Sequence, residues 1–107
     1  MEGWTFLTNH GHVLVCIASD PEVLLKDVAT RVGITERAAQ RIAADLIAEG
    51  YLTATKLGRR NRYKVNGALP FRHPLERSSA VGSLLSLLKA GRKRGAGVQS
   101  ANLDYRA

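Results

Sequence analysis

The chain holds one cysteine, three prolines and six aromatic residues among its 107 positions, and these scarcities exclude several protein classes at once. Cys16 alone cannot close an internal disulfide or furnish a multi-cysteine zinc cluster. No stretch approaches the roughly 18 consecutive apolar residues that a membrane span needs. The first residues carry no charged-then-apolar signal pattern, so the expectation is a cytoplasmic protein with no membrane partner. There is no nucleophile elbow, no phosphate-cradling glycine loop and no pair of acids in a catalytic setting. A non-enzyme without cofactor or metal is expected. Length leaves room for one domain.

Acidic residues are scarce in one half only. Positions 1 to 50 carry four Lys/Arg against seven Asp/Glu, net −3, whereas positions 51 to 107 carry twelve against two, net +10, which together give the overall +7. A positive field so localised is the footprint of a polyanionic partner, most often nucleic acid. The competing reading is a solvated basic tail that binds nothing.

Periodicity supplies the organisation. Val13, Leu14, Ile17 and Ala18 recur at helical spacing and predict a first helix over 10–19, ended by Asp20-Pro21. Val23, Leu24 and Leu25 form an apolar run long enough for a minimal strand. A second helix is predicted from Lys26 to Val32, with Val28, Ala29 and Val32 inward, stopping at Gly33. Thr35 is a good N-cap for a third helix reaching about Glu49, with Glu36 at the positive end of its dipole. Its inward stripe is Ala39, Ile42, Ala43, Leu46 and Ile47, and Arg37, Gln40, Arg41 and Ala44 face outward.

From Tyr51 the pattern turns β-branched and aromatic. Segments 51–57 and 62–66 flank Gly58-Arg59-Arg60-Asn61 and predict a two-stranded hairpin with two arginines at its tip. Alternation puts Tyr63 and Val65 towards the body and Arg62 and Lys64 on the other face. After a linker over 67–73, Pro74 suits the first turn of a fourth helix, expected over 74–89, where Val81, Leu84, Leu85 and Leu88 share one face. Residues 90–107, rich in glycine and basic side chains, are expected to form a disordered tail. The fold class expected is mainly α with a small β-hairpin: a winged helix-turn-helix domain over 1–89 whose added C-terminal helix serves dimerisation.

The order helix, short strand, helix, tight turn, helix, basic hairpin has a physical use. A major groove about 12 Å wide admits one α-helix, and a preceding helix joined through a tight turn braces it. Gly33-Ile34-Thr35 is that turn: Gly33 permits the reversal, Ile34 fills the space between the helices, and Thr35 caps the inserted one. Beside Thr35, Arg37 and Arg41 have the chemistry to donate paired hydrogen bonds to guanine, and Gln40 to pair with adenine. The hairpin adds Lys56, Arg59, Arg60, Arg62 and Lys64 with no acid among them, for phosphates or the adjacent minor groove, where their contribution is to affinity and register.

At these residues the chain resembles the winged helix-turn-helix transcriptional regulators of the MarR and ArsR type. The stretch is Val23 to Asn66. Val28-Ala29 with Val32-Gly33-Ile34-Thr35 looks like the helix-turn-helix core, Leu46 with Glu49-Gly50-Tyr51-Leu52 like the exit of the recognition helix, and Gly58-Arg59-Arg60-Asn61-Arg62-Tyr63 like the wing tip. Arg72-His73-Pro74-Leu75-Glu76 is similar to small stand-alone bacterial members. The resemblance implies a sequence-specific double-stranded DNA-binding homodimer acting on transcription, with recognition helix 35–49 and wing 51–66, on an inverted-repeat operator in the nucleoid. The cysteine-rich metal motif of many ArsR-type sensors and the long flanking helices of MarR-type proteins are absent, so effector sensing is not implied.

Two features receive structural readings. His10 and His12 lie two apart at a helix start, where they do not share a face, with no further ligand nearby in sequence. Cys16, beside Ile17 in an apolar helix, reads as a small buried hydrophobe. The leucine-rich face of the last helix, Val81, Leu84, Leu85 and Leu88, is expected to form a dimer contact with Trp4 and Phe6, because symmetric regulators need two reading heads. The alternative function is a protein-interaction module on the same scaffold, its basic hairpin docking an acidic partner.

Overall fold

In the computed structural model the backbone is described over residues 3–92 and side chains over 3–88. Among them are four helices and one two-stranded antiparallel hairpin. Two compact units divide between Val65 and Asn66, and each is taken in turn.

In the first unit, α1 (Asn9–Ser19) starts at Thr8, whose hydroxyl accepts from the Gly11 amide, and buries Val13, Leu14, Cys16 and Ile17. The expected strand at Val23–Leu25 does not form. Leu24 is instead the N-cap residue and Leu25 the first residue of α2 (Leu25–Val32). No strand pairs with this segment among the described residues, so the apolar run starts a helix: the Asp27 and Val28 amides both bond back to the Leu24 carbonyl, at 2.9 and 3.1 Å. Gly33 closes α2 at φ 89.

Helix α3 (Glu36–Ala48) begins where Thr35 Oγ1 accepts from the Ala38 amide at 3.0 Å. Its buried stripe is Ala39, Ile42, Ala43 and Leu46. Ile47 departs from the expected stripe and is 41% exposed, because its angular position lies at the edge of the apolar face. At the far end the Tyr51 amide reaches the Leu46 carbonyl and the Gly50 amide the Ile47 carbonyl, the paired bonds of a Schellman ending. This ending aims the chain into the hairpin with Tyr51 buried.

The hairpin is β1 (Leu52–Leu57) and β2 (Arg60–Val65), in register from Leu52 opposite Val65 to Leu57 opposite Arg60. The loop is therefore two residues, Gly58-Arg59, rather than the four expected. Two-residue hairpin loops need positive φ at their first position, and Gly58 supplies it at φ 64. Ile17, Leu52, Val13 and Val28 are the largest fully buried side chains; α1, α2 and α3 pack pairwise, β1 packs on α3, and β2 on α1.

The second unit differs most from the sequence reading. Pro74 does not start a helix; α4 is Val81–Arg92. Residues 66–80 fold back instead: Pro70 bridges Ala80, and the Phe71 amide bonds to the Ser79 carbonyl. The first amides of α4 are thereby satisfied from upstream, Val81 by the Leu69 carbonyl at 2.9 Å and Gly82 by the Gly67 carbonyl at 2.8 Å. A Cβ on Gly82 would lie 2.9 Å from the Gly67 carbonyl oxygen, so the helix start depends on a residue with no side chain there. Ala90, Gly91 and Arg92, expected in the tail, belong to α4; the remainder of that expected tail lies outside the described residues.

Candidate nucleic-acid interface

The outward face of α3 follows from its periodicity. With Ala39, Ile42, Ala43 and Leu46 turned into the core, Arg37, Gln40, Arg41 and Ala44 are all exposed. The Thr35 cap fixes where the helix starts and hence where that row begins. Gln40 Nε2 donates to Glu36 Oε2 at 3.4 Å, one turn earlier on the same surface. Arg37 and Arg41 are one turn apart, so the row offers two guanidinium groups with an amide between them.

The hairpin divides its five cations by register. Cross-strand partners share a face. Arg60 with Leu57, Arg62 with Thr55 and Lys64 with Thr53 therefore occupy one face, while Lys56 with Asn61 lies on the face that carries buried Tyr63. Arg59 is in the turn. The expectation of two arginines at the tip is thus corrected: Arg60 is a strand residue, and its Nη2 donates to the Glu22 carbonyl at 2.9 Å. Arg62 Nε lies 3.7 Å from Glu22 Oε2. Lys56, Arg59, Arg62 and Lys64 are all exposed.

Glu22 was not among the sequence candidates. It sits 38 residues from Arg60, and neither periodicity nor composition relates such distant positions. A second contact of this kind joins α1 to α3, where His10 Nε2 meets Asp45 Oδ2 at 2.8 Å with both side chains about half exposed. His12 is half-buried and Cys16 buried. No group of three or more potential metal ligands occurs among the described residues.

The residues expected at a dimer contact separate into two sets. Val81 and Leu85 are buried within the chain, 4% and 6% exposed, and so are not free for a partner: the inward face of α4 is used for the chain's own packing. Leu84 is half-buried and Leu88 is 37% exposed. Trp4 and Phe6 are 77% and 93% exposed and pack edge to face, centroids 5.1 Å apart.

No protein-family model matches the chain, and no curated protein is significantly similar to it. No helix among the described residues is long and apolar enough to cross a membrane.

Proposed function

We propose that the first unit is a winged helix-turn-helix domain of the MarR and ArsR type and that the protein is a cytoplasmic, non-enzymatic, sequence-specific double-stranded DNA-binding regulator of transcription. α2 braces α3, α3 enters the major groove, and the hairpin is the wing on flanking phosphates or the minor groove. One observation carries the reading. A single compact unit holds both an exposed Arg37, Gln40, Arg41 row on a capped helix that follows a tight turn and a two-stranded hairpin with five cations and no acid. The row has the donors and acceptor that base edges require, and the hairpin the charge that phosphates require.

The regulator acts as a homodimer through exposed apolar side chains, with Trp4 and Phe6 foremost and Leu84 and Leu88 as further contributors; the exposure of the two aromatic rings supports this. A two-fold pair reads an inverted repeat with half-sites about 34–36 Å apart.

Selection of bound duplexes from a random pool, with gel shifts of random duplexes at two salt concentrations, tests the proposal. The expected result is salt-sensitive duplex binding and enrichment of an inverted repeat. Arg37→Ala relaxes preference at particular base positions, costing roughly 1–3 kcal/mol there, while Arg59→Ala weakens all sequences alike. Absence of duplex binding even at low salt overturns it, and is the outcome expected of a module that docks an acidic protein.

A further inference from the structure

Three contacts tie the outer edge of β2 to one short turn. The Tyr63 amide donates to the Pro21 carbonyl at 2.8 Å, Arg60 Nη2 to the Glu22 carbonyl at 2.9 Å, and the Arg62 guanidinium faces the Glu22 carboxylate at 3.7 Å. The turn is itself built by Asp20, whose Oδ1 accepts from the Glu22 amide at 3.2 Å and whose carbonyl accepts from the Val23 amide at 3.0 Å. The edge of β2 not paired with β1 is thus met by a carbonyl pair and one carboxylate. The side chains of Lys56, Arg59 and Lys64 have no hydrogen-bond or ion-pair partner among the described residues.

We infer that Glu22 is a positioning residue that sorts the hairpin's cations into two struts, Arg60 and Arg62, which hold the hairpin on the Asp20–Val23 turn, and three phosphate ligands, Lys56, Arg59 and Lys64. The inference rests on the duplex-binding reading above and deepens it. The strut role follows from geometry: Arg60 spends donors on a main-chain carbonyl, which no substitution of the Glu22 side chain removes. The sorting follows from charge. The Glu22 carboxylate 3.7 Å from Arg62 offsets part of its positive charge, the two side chains being 42% and 62% exposed. Arg62 therefore releases less counterion at a duplex than a cation with no acid beside it that meets a phosphate. In a plot of log affinity against log salt, each phosphate contact contributes a slope of about −0.9.

The full-length protein is titrated against one duplex over a salt series. Arg59→Ala and Lys64→Ala each flatten the slope by about one, and Arg62→Ala flattens it by clearly less than one phosphate contact. Glu22→Gln releases Arg62 and steepens the slope, and adding Arg62→Ala to it reverses that change. An Arg62→Ala slope as flat as that of Arg59→Ala, or an unchanged slope in Glu22→Gln, overturns the sorting while leaving duplex binding intact. A wild-type protein with no duplex affinity removes the function and the phosphate ligands together. The struts are read without DNA: in Arg60→Ala, exchange of the Tyr63 amide accelerates about tenfold, the loss of one charge-assisted hydrogen bond, and unchanged exchange overturns the strut assignment.

Discussion

The two units of the chain are built by different kinds of information. In the first, α3 starts at a threonine three residues from the amide it caps, presents an apolar stripe at helical spacing, and hands over to the hairpin through the Gly50-Tyr51 ending. Every one of these signals acts within a few residues. In the second unit the start of α4 is fixed by carbonyls at Gly67 and Leu69, which lie 15 and 12 residues upstream of the amides they satisfy, Gly82 and Val81. A helix end specified locally is specified by residue type, whereas one specified at a distance depends on whether two backbone segments can approach.

The largest effect expected tests the core of the first unit. Ile17 is fully buried where α1 packs, so Ile17→Ala loses the transfer energy of the side chain and leaves a cavity, costing about 2–5 kcal/mol in chemical denaturation. A loss below about 0.5 kcal/mol, the range of ordinary surface substitutions, would show that α1 is peripheral to that core.

The second prediction inverts a rule. Gly→Ala inside a helix ordinarily stabilises by up to about 1 kcal/mol. At Gly82 the added Cβ would meet the Gly67 carbonyl oxygen at 2.9 Å and the Gly67 Cα at 3.3 Å, both main-chain atoms. Gly82→Ala should therefore destabilise by about 1–3 kcal/mol, the range of overpacking, and expose the Val81 and Gly82 amides to faster hydrogen exchange. Stabilisation by this substitution would dissolve the contrast between the units, since the helix start would then need no close approach.

That contrast explains what was legible in the sequence. The first three helices, the Gly33 reversal, the Thr35 cap and the inward Tyr63 all follow from local pattern, which also places the hairpin strands to within two residues. The misplacements share one cause. Val23–Leu25 is an apolar run that suits a minimal strand, but a strand needs a partner, and among the described residues only the Tyr63 amide of β2 bonds to this turn, at Pro21. Pro74 suits a helix start, but the loop carbonyls fix that start seven residues later. In the candidate interface the exposed row on α3 was readable because core and surface alternate on one helix. The engagement of Arg60 and Arg62 by Glu22 was not, because a list of basic residues does not record which of them already has a partner.

Thr35→Ala, next in size, tests the local side of the comparison. It removes the acceptor of the Ala38 amide and should cost about 1 kcal/mol, read by thermal or chemical denaturation; Thr35→Ser should recover most of the loss because the oxygen, not the methyl group, makes the bond. Failure of serine to rescue would move the contribution of Thr35 from capping to packing.

The smallest effect belongs to the pair that joins α1 to α3. His10 and Asp45 meet at 2.8 Å, but their side chains are 49% and 56% exposed, so water and salt screen the interaction and both side chains lose freedom in making it. A double-mutant cycle over His10→Ala and Asp45→Ala should return a coupling of at most about 1 kcal/mol, smaller still at high salt. A coupling well above that would mean that distant contacts fix the angle between α1 and α3, as they fix the start of α4. A coupling near zero would leave the first unit held by its buried stripes, with Ala39, Ile42, Ala43 and Leu46 setting how α3 presents Arg37, Gln40 and Arg41 to solvent.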